Sequence, residues 1–294
     1  MPDFTPKNLY PQQDKAIEHQ LSHPVGGLFM DMGLGKTICT LTSLLELARF
    51  GVGPVLLVGP IRVIETVWRQ EALRWSHTEK MTFTLVRGNA SQRSAALKVP
   101  AEIYLINPEH LEWLFEQPDL PAFEVLVIDE SSMFKNPGTK RFRLLRTKLS
   151  QFSRRYILTG TPTPNSLLDL WSQIFLLDKG VRLGSSFTRY KQRFFFPSDR
   201  WGYKWKIQEG AAAKIYELVS DLILRVDARD FLPPRTVLHN PVRIQLPAAA
   251  KKIYREVEDD AFSKLSAEVN ISALNVAGAL MKCRQIANGL VYDN

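Results

Sequence analysis

Asp31-Met32-Gly33-Leu34-Gly35-Lys36-Thr37 decides how the rest of the chain is read. Ahead of it, Gly27-Leu28-Phe29-Met30 reads as the end of a buried strand; behind it, residues 38–50 read as a helix. A strand, a tight glycine turn and a helix N-terminus aim backbone N–H groups and the positive end of the helix dipole at one spot, which makes a cradle for phosphate. In such a cradle Lys36 reaches the β- and γ-phosphates and the Thr37 hydroxyl holds Mg²⁺. The match to the phosphate-loop template is incomplete, because Met30 stands where the template has its first glycine. Taken alone, the segment also reads as a glycine-rich turn before a core helix.

Working outward, short apolar runs alternate with helical patterns from residue 25 to 160. Residues 25–30, 54–59, 102–107, 124–128 and 155–159 read as buried strands, with a further strand at 81–86. The runs are rich in Val, Ile and Leu and are continuous rather than alternating, as expected when both faces of a sheet are covered. Residues 37–50, 63–75, 109–115 and 140–149 read as helices between them. This is the rhythm of an α/β fold with a parallel sheet and helices on both faces. Ligands of such sheets sit beyond the carboxyl ends of the strands, where one cleft would gather the Gly-Lys-Thr turn, Asp129-Glu130 and Gly160-Thr161.

After residue 165 the pattern becomes mostly helical. Residues 166–177, 189–193 and 211–224 read as helices, the last on a stripe of Ile215, Leu218, Val219, Leu222 and Ile223. Residues 194–207 read as an aromatic β-hairpin bent at Gly202. Leu232-Pro233-Pro234 breaks the chain, 236–245 resembles a connecting strand, and 248–268 and 271–287 close it as two helices. This change of pattern divides the chain into a phosphate-binding lobe at 1–165 and a helical extension at 166–294.

Composition narrows the class. Of the 294 residues, 45% are hydrophobic and 23% charged, which is globular. No run of about 18 apolar residues exists, so no membrane span is expected. The N-terminus carries no secretory pattern, and the two cysteines, Cys39 and Cys283, lie far apart without metal-ligand spacing. These features fit an intracellular protein with buried thiols. The net charge is +8, but residues 131–210 hold 16 Lys and Arg against 4 Asp and Glu, a local +12 that leaves −4 for the rest. A phosphate backbone is the usual partner of such a segment, and a solvated basic face is the bland alternative. Within it, basic and aromatic residues interleave at Arg189–Phe196 and at Arg200-Trp201-Gly202-Tyr203-Lys204-Trp205-Lys206. Arg193, Arg200, Trp201 and Lys204 there, with Lys140 and Arg141, are candidate nucleic-acid contacts. The five histidines and the tryptophans Trp68, Trp75 and Trp171 read as structural.

Val125-Leu126-Val127-Ile128-Asp129-Glu130 is the second strong signal. Two carboxylates at the end of a buried strand are costly unless something positive meets them, and Mg²⁺ with a triphosphate is the natural candidate. Asp129 would hold the Mg²⁺ shell and Glu130 would orient and deprotonate an attacking water. In Leu158-Thr159-Gly160-Thr161-Pro162 small hydroxyl residues follow another buried strand, placed to hydrogen-bond those carboxylates; an ordinary strand-to-helix turn is the plain alternative.

In order and spacing these blocks resemble helicase superfamily two, specifically the Swi/Snf-type ATP-dependent DNA translocases of phage or bacterial size. The resemblance is carried by Leu9–Gln13, Asp31–Thr37, Leu57–Pro60 with Trp68, Val127–Glu130, Phe134-Lys135-Asn136 and Leu158–Pro162 with Asn165, and more weakly by Leu224-Arg225, Leu232–Pro234, Tyr254 and Arg284–Gly289. It implies a RecA-like lobe, ATP and Mg²⁺ as cofactors, double-stranded DNA as partner and a monomeric motor, cytoplasmic in a bacterial or phage-infected cell or nuclear in a eukaryote. It implies that Gln13 reads adenine and that Gly33, Leu34, Gly35, Lys36, Thr37 and Ile38 hold the nucleotide. Asp129 and Glu130 become the metal and base pair, and Pro60 and Arg62 backbone contacts to DNA. Ser132, Thr159, Gly160 and Thr161 become the coupling residues between the ATP and DNA sides. Three departures stand out. Ser131-Ser132 replace the family's Ala-His after the carboxylates, Gln12 replaces its tyrosine, and a second RecA-like lobe with an arginine finger is expected beyond these residues. ATP turnover without that lobe is expected to be very slow, an arginine finger being worth about 10³–10⁵. A nucleotide-gated DNA-binding scaffold without useful turnover is the alternative function.

Overall fold

The computed structural model describes residues 2–201, 203–231, 240, 241, 245–267 and 273–289. In chain order the first half folds as α1 (Pro11–Ser22), β1 (Val25–Met30), α2 (Lys36–Arg49), β2 (Val55–Val58), α3 (Ile61–Arg74), β3 (Phe83–Leu85), α4 (Ala90–Leu97), β4 (Ile103–Ile106), α5 (Leu111–Phe115), β5 (Val125–Asp129), α6 (Lys140–Lys148) and β6 (Arg154–Thr159). There follow α7 (Leu168–Asp178), α8 (Phe187–Phe194), β7 (Phe195–Pro197), β8 (Trp205–Ile207), α9 (Ala211–Val219) and β9 (Ile223–Val226). Seven strands form one parallel sheet in the order β3-β4-β2-β5-β6-β1-β9; β7 and β8 form a separate antiparallel hairpin. The expected RecA-like α/β architecture is therefore present.

The continuous apolar runs are explained by two cores, one on each face. Along β5, Leu126 and Ile128 enter the core shared with α5, α6 and α7, while Val125 and Val127 enter the core shared with α2 and α3. β2 divides in the same way, Leu56 and Val58 against Val55 and Leu57. Successive strand side chains point to opposite faces, so a strand covered on both sides has no polar position left. Register then sets the rim: Asp129 pairs with Leu158, and Phe29 with Thr159. The ends of β5, β6 and β1, three neighbours in the sheet, thus reach the same edge.

Three elements differ from the sequence reading. The helix expected over 211–224 stops at Val219, and Ile223–Val226 pairs with β1 as the seventh strand. A short apolar run does not distinguish a helix end from a buried strand by its period. The sheet therefore draws a strand from beyond residue 165, and the chain forms compact units at 1–234 and 235–294. Helix α1 has no apolar stripe to announce it, since it buries Gln12, Gln13, Ala16 and Gln20. Helix α4 is short and begins on an Asn89–Gln92 capping box. In the second unit α10 (Ala248–Ala267) and α11 (Ala273–Ala287) lie side by side, close to the two closing helices expected. The bend at Gly202, the Leu232-Pro233-Pro234 break and most of the 236–245 strand fall outside the described residues. Among those described, no helix is long and apolar enough to cross a membrane.

Burial holds His19, His77 and His110 below the ordinary histidine range. Each is neutral when folded and protonates more readily when unfolded, so its contribution to stability is full above about pH 6.5 and is lost as pH falls through the folded values. Burial raises Asp129, which works in the opposite direction, and Asp129→Asn takes that group out. The melting temperature of this variant should therefore fall as the pH is lowered from 7 to 5; a flat or rising profile would contradict this.

Candidate nucleotide site

The turn after β1 begins with a backbone choice that favours glycine. Gly33 and Gly35 have φ of 82° and 85°, in the left-handed region, and Gly35 caps the N-terminus of α2. At Gly35 even a methyl group would lie 2.1 Å from the Gln13 amide nitrogen. That amide donates to the Leu34 carbonyl at 3.2 Å, while the Gln13 Oε1 accepts from the Tyr10 N–H at 2.9 Å. Gln13 thus ties the start of α1 to the glycine turn.

Lys36, the first residue of α2, turns back over the loop. Its Nζ donates to the carbonyls of Met30 at 2.7 Å and Asp31 at 3.2 Å. Burial pushes the Lys36 ammonium below its ordinary range, against the opposing pull of Asp129, Glu130 and Asp31. The lysine and both carboxylates therefore share one electrostatic environment at the rim.

Asp129 is held on both oxygens. Oδ2 accepts from the Trp68 indole N–H at 2.8 Å and Oδ1 from the Glu130 N–H at 2.9 Å. Burial nevertheless dominates and raises its pKa, against these two hydrogen bonds and the pull of Lys36. Glu130 sits at φ 53°, an uncommon conformation for a residue with a side chain. Its Oε1 accepts from Ser132 Oγ at 2.5 Å and Thr159 Oγ1 at 2.9 Å. Thr159 in turn accepts from the Thr161 N–H at 3.0 Å, and a Cβ on Gly160 would lie 3.4 Å from the Met30 carbonyl. The ends of β5, β6 and β1 are thus joined at atomic distances, with Ser132, Thr159, Gly160 and Thr161 between the carboxylates and the loop.

Two residues at this rim make polar contacts that the sequence pattern does not announce. Trp68 is fully buried on the α2–α3 side, as a core tryptophan should be, and its indole N–H also grips Asp129. Gln173 of α7, also fully buried, accepts from Ser131 Oγ at 2.6 Å and donates to the Pro162 and Asp169 carbonyls. It bridges the carboxylate turn to the loop after β6. A polar residue inside the apolar run of α7 was the available signal.

The DNA candidates occupy separate elements. Pro60 and Arg62 begin α3, on the same rim because β2 runs parallel beside β5. Lys140 and Arg141 begin α6, where Lys140 is exposed and Arg141 pairs with Glu109 at 3.6 Å. Arg193, Arg200, Trp201 and Lys204 are exposed on α8 and the hairpin. Both cysteines are unpaired and buried, and burial pushes the Cys39 thiol up to about 12.

For Mg²⁺ the donor chemistry fits. Thr37 and Asp129 supply hard oxygens. Mg²⁺ suits such a site, since it takes one or two carboxylates and draws its other ligands from phosphate and water.

A family model described as the SNF2-related domain matches residues 16–290. The chain is 35% identical to protein p41 of Acyrthosiphon pisum secondary endosymbiont phage 1, over all of this chain and 66% of that protein. It is 28% identical to the DNA repair and recombination protein RAD54B of Gallus gallus, over 86% of this chain and 30% of that one. Among solved structures it is similar to the Sulfolobus solfataricus SWI2/SNF2 ATPase core in complex with dsDNA, with a TM-score of 0.61 and 25% identity over 95% of this chain and 58% of that one. The chain thus spans less than two thirds of each of these relatives' lengths.

Proposed function

The chain belongs to the SNF2-related domain family, and we propose that it is the ATP-binding first lobe of an ATP-dependent translocase that tracks along double-stranded DNA. One observation carries this reading: Lys36, after β1, and the Asp129-Glu130 pair, after β5, lie at one rim of the sheet within electrostatic reach of each other, and Thr159, at the end of the intervening β6, donates to Glu130.

The nucleotide chemistry follows from these groups. Backbone N–H groups of residues 33–38 and the Lys36 ammonium receive the triphosphate. Lys36 exchanges two carbonyl partners for phosphate oxygens, and charge-assisted hydrogen bonds contribute roughly 1.5–3 kcal/mol each. Thr37 and Asp129 hold Mg²⁺, which when bound neutralises charge developing on the phosphates. Glu130 accepts a hydrogen bond from the attacking water and takes its proton. Thr159 and Ser132, bonded to the same carboxylate, register its charge, and Gly160 and Thr161 pass that change toward the DNA side. While held by Leu34 and Tyr10, Gln13 keeps a second amide hydrogen and a second Oε1 lone pair with which to read adenine.

On the DNA side, Pro60 and Arg62 at the rim, Lys140 and Arg141 on α6, and the basic residues of α8 and the hairpin are the backbone contacts. If six phosphates are neutralised, duplex affinity falls by about 10³-fold or more between roughly 50 and 200 mM salt. Filter binding or anisotropy across that range tests it, and a salt-independent affinity would remove these cations as phosphate contacts. For the nucleotide, titration with a fluorescent ATP analogue should give saturable, Mg²⁺-dependent binding that Lys36→Ala weakens at least tenfold. Equal binding by that variant would refute the reading.

A further inference from the structure

The 195–207 hairpin is built in two parts. Its base is packed: Phe194 and Phe195 are buried against Tyr190, and Lys191 lies over the Trp205 ring at 4.3 Å. Gln208 fastens the base by donating its backbone N–H to the Phe194 carbonyl and its side-chain amide to the Phe195 carbonyl. Towards the tip the ladder continues past the strands, with the Ser198 N–H on the Lys204 carbonyl and the Lys204 N–H on Asp199. Yet the tip carries two large aromatics in the open: Trp201 is 76% and Tyr203 87% exposed. A fold that hides Trp68 and Trp171 completely has no packing use for these two, and exposed rings on a fastened stem mark a contact surface.

We propose that this tip is a site for an unpaired DNA base, making the chain a reader of bubbles and strand junctions as well as of duplex. The assignment presupposes the DNA substrate proposed above and narrows it. Trp201 and Tyr203 offer two faces on which bases of any sequence stack. The Arg200 guanidinium lies 5.9 Å from the Trp201 ring centroid, so the phosphate and base of one nucleotide meet cation and ring together. Lys204, just before β8, and Lys206, within it, are exposed, and exposed Arg189 and Arg193 carry the positive strip down α8. A fully paired duplex satisfies the cations and leaves the rings without a partner, because its bases are already stacked. A membrane surface also takes tryptophan and tyrosine beside lysine. It would use the tip but not a strip of cations running away from it along a helix, which a DNA strand follows.

The test compares a blunt duplex with the same duplex carrying a short central bubble, for the full chain and for a Trp201→Ser, Tyr203→Ser double variant. Both positions are exposed, so the melting temperature should not change. The unaltered chain is expected to prefer the bubble by about 5- to 150-fold, the worth of one stacked base, and the variant to lose that preference while keeping duplex affinity. Equal affinity of the unaltered chain for both DNAs overturns the proposal and leaves the translocase reading standing, as does a variant that keeps the preference. Failure to bind either DNA overturns both. Binding to anionic vesicles that depends on the two aromatics, without a bubble preference, overturns it in favour of a lipid surface.

Discussion

Glu130→Gln should lower ATP turnover by about 10²–10⁴-fold while leaving Mg²⁺-nucleotide affinity within a few-fold. The amide matches the carboxylate in size and keeps an oxygen to accept from Ser132 and Thr159, so the turn at φ 53° is retained. What it loses is the capacity to take a proton from water. Lys36 and the backbone amides of the glycine turn are untouched, so the triphosphate is still held. Single-turnover measurement with the protein in excess reads the chemical step even where steady-state turnover is slow. The same variant separates a motor from a nucleotide-gated scaffold: a scaffold has no use for the base, and unchanged turnover would end the catalytic reading of Glu130.

The second large effect lies at Trp68. Trp68→Ala removes a fully buried ring and should cost about 3–5 kcal/mol, lowering the melting temperature by on the order of 10 °C. Trp68→Phe separates packing from electrostatics. It keeps most of the apolar volume but deletes the indole N–H that Asp129 Oδ2 accepts at 2.8 Å. Hydrogen bonds to charged groups contribute about 1.5–3 kcal/mol, so the carboxylate loses much of its support. That N–H opposes the upward push of burial on Asp129, and its loss moves the group further up, toward the neutral acid. Mg²⁺-dependent nucleotide binding by Trp68→Phe should therefore weaken more at pH 6 than at pH 8, because protonation removes a metal ligand. If Trp68→Phe loses stability but keeps the parent pH profile, Trp68 is a packing residue alone.

The sheet was legible because its strands are covered on both faces. Val125–Ile128 and Val55–Val58 carry no polar position, and each is bounded by turn residues. The glycine turn was legible because its backbone conformation and close approach to Gln13 demand glycine at Gly35. Helix α1 was not, since its buried face is glutamine and alanine and its contacts are hydrogen bonds, such as Gln20 to Thr40. Strand β9 was hidden because its apolar residues continue the stripe of α9, and only the pairing of Gly27 with Ile223 shows what it is. Within the site, residue types carried Lys36, Asp129 and Glu130, and the small residues after β6 carried Thr159. The grip of Trp68 on Asp129 spans 61 residues, and nothing in an amphipathic helix says that one of its core rings will turn its N–H toward a strand end. Gln173 is a similar case: its partners Ser131 and Pro162 come from two loops that only the fold brings together.

The most direct measurement is a crystal structure of this chain with Mg²⁺ and a non-hydrolysable ATP analogue. The triphosphate should lie against the amides of residues 33–38, with Lys36 Nζ moved from the Met30 carbonyl to a phosphate oxygen and the metal between Thr37 and Asp129. A nucleotide bound elsewhere, or a Lys36 that stays on Met30 while the ligand is present, would contradict the account.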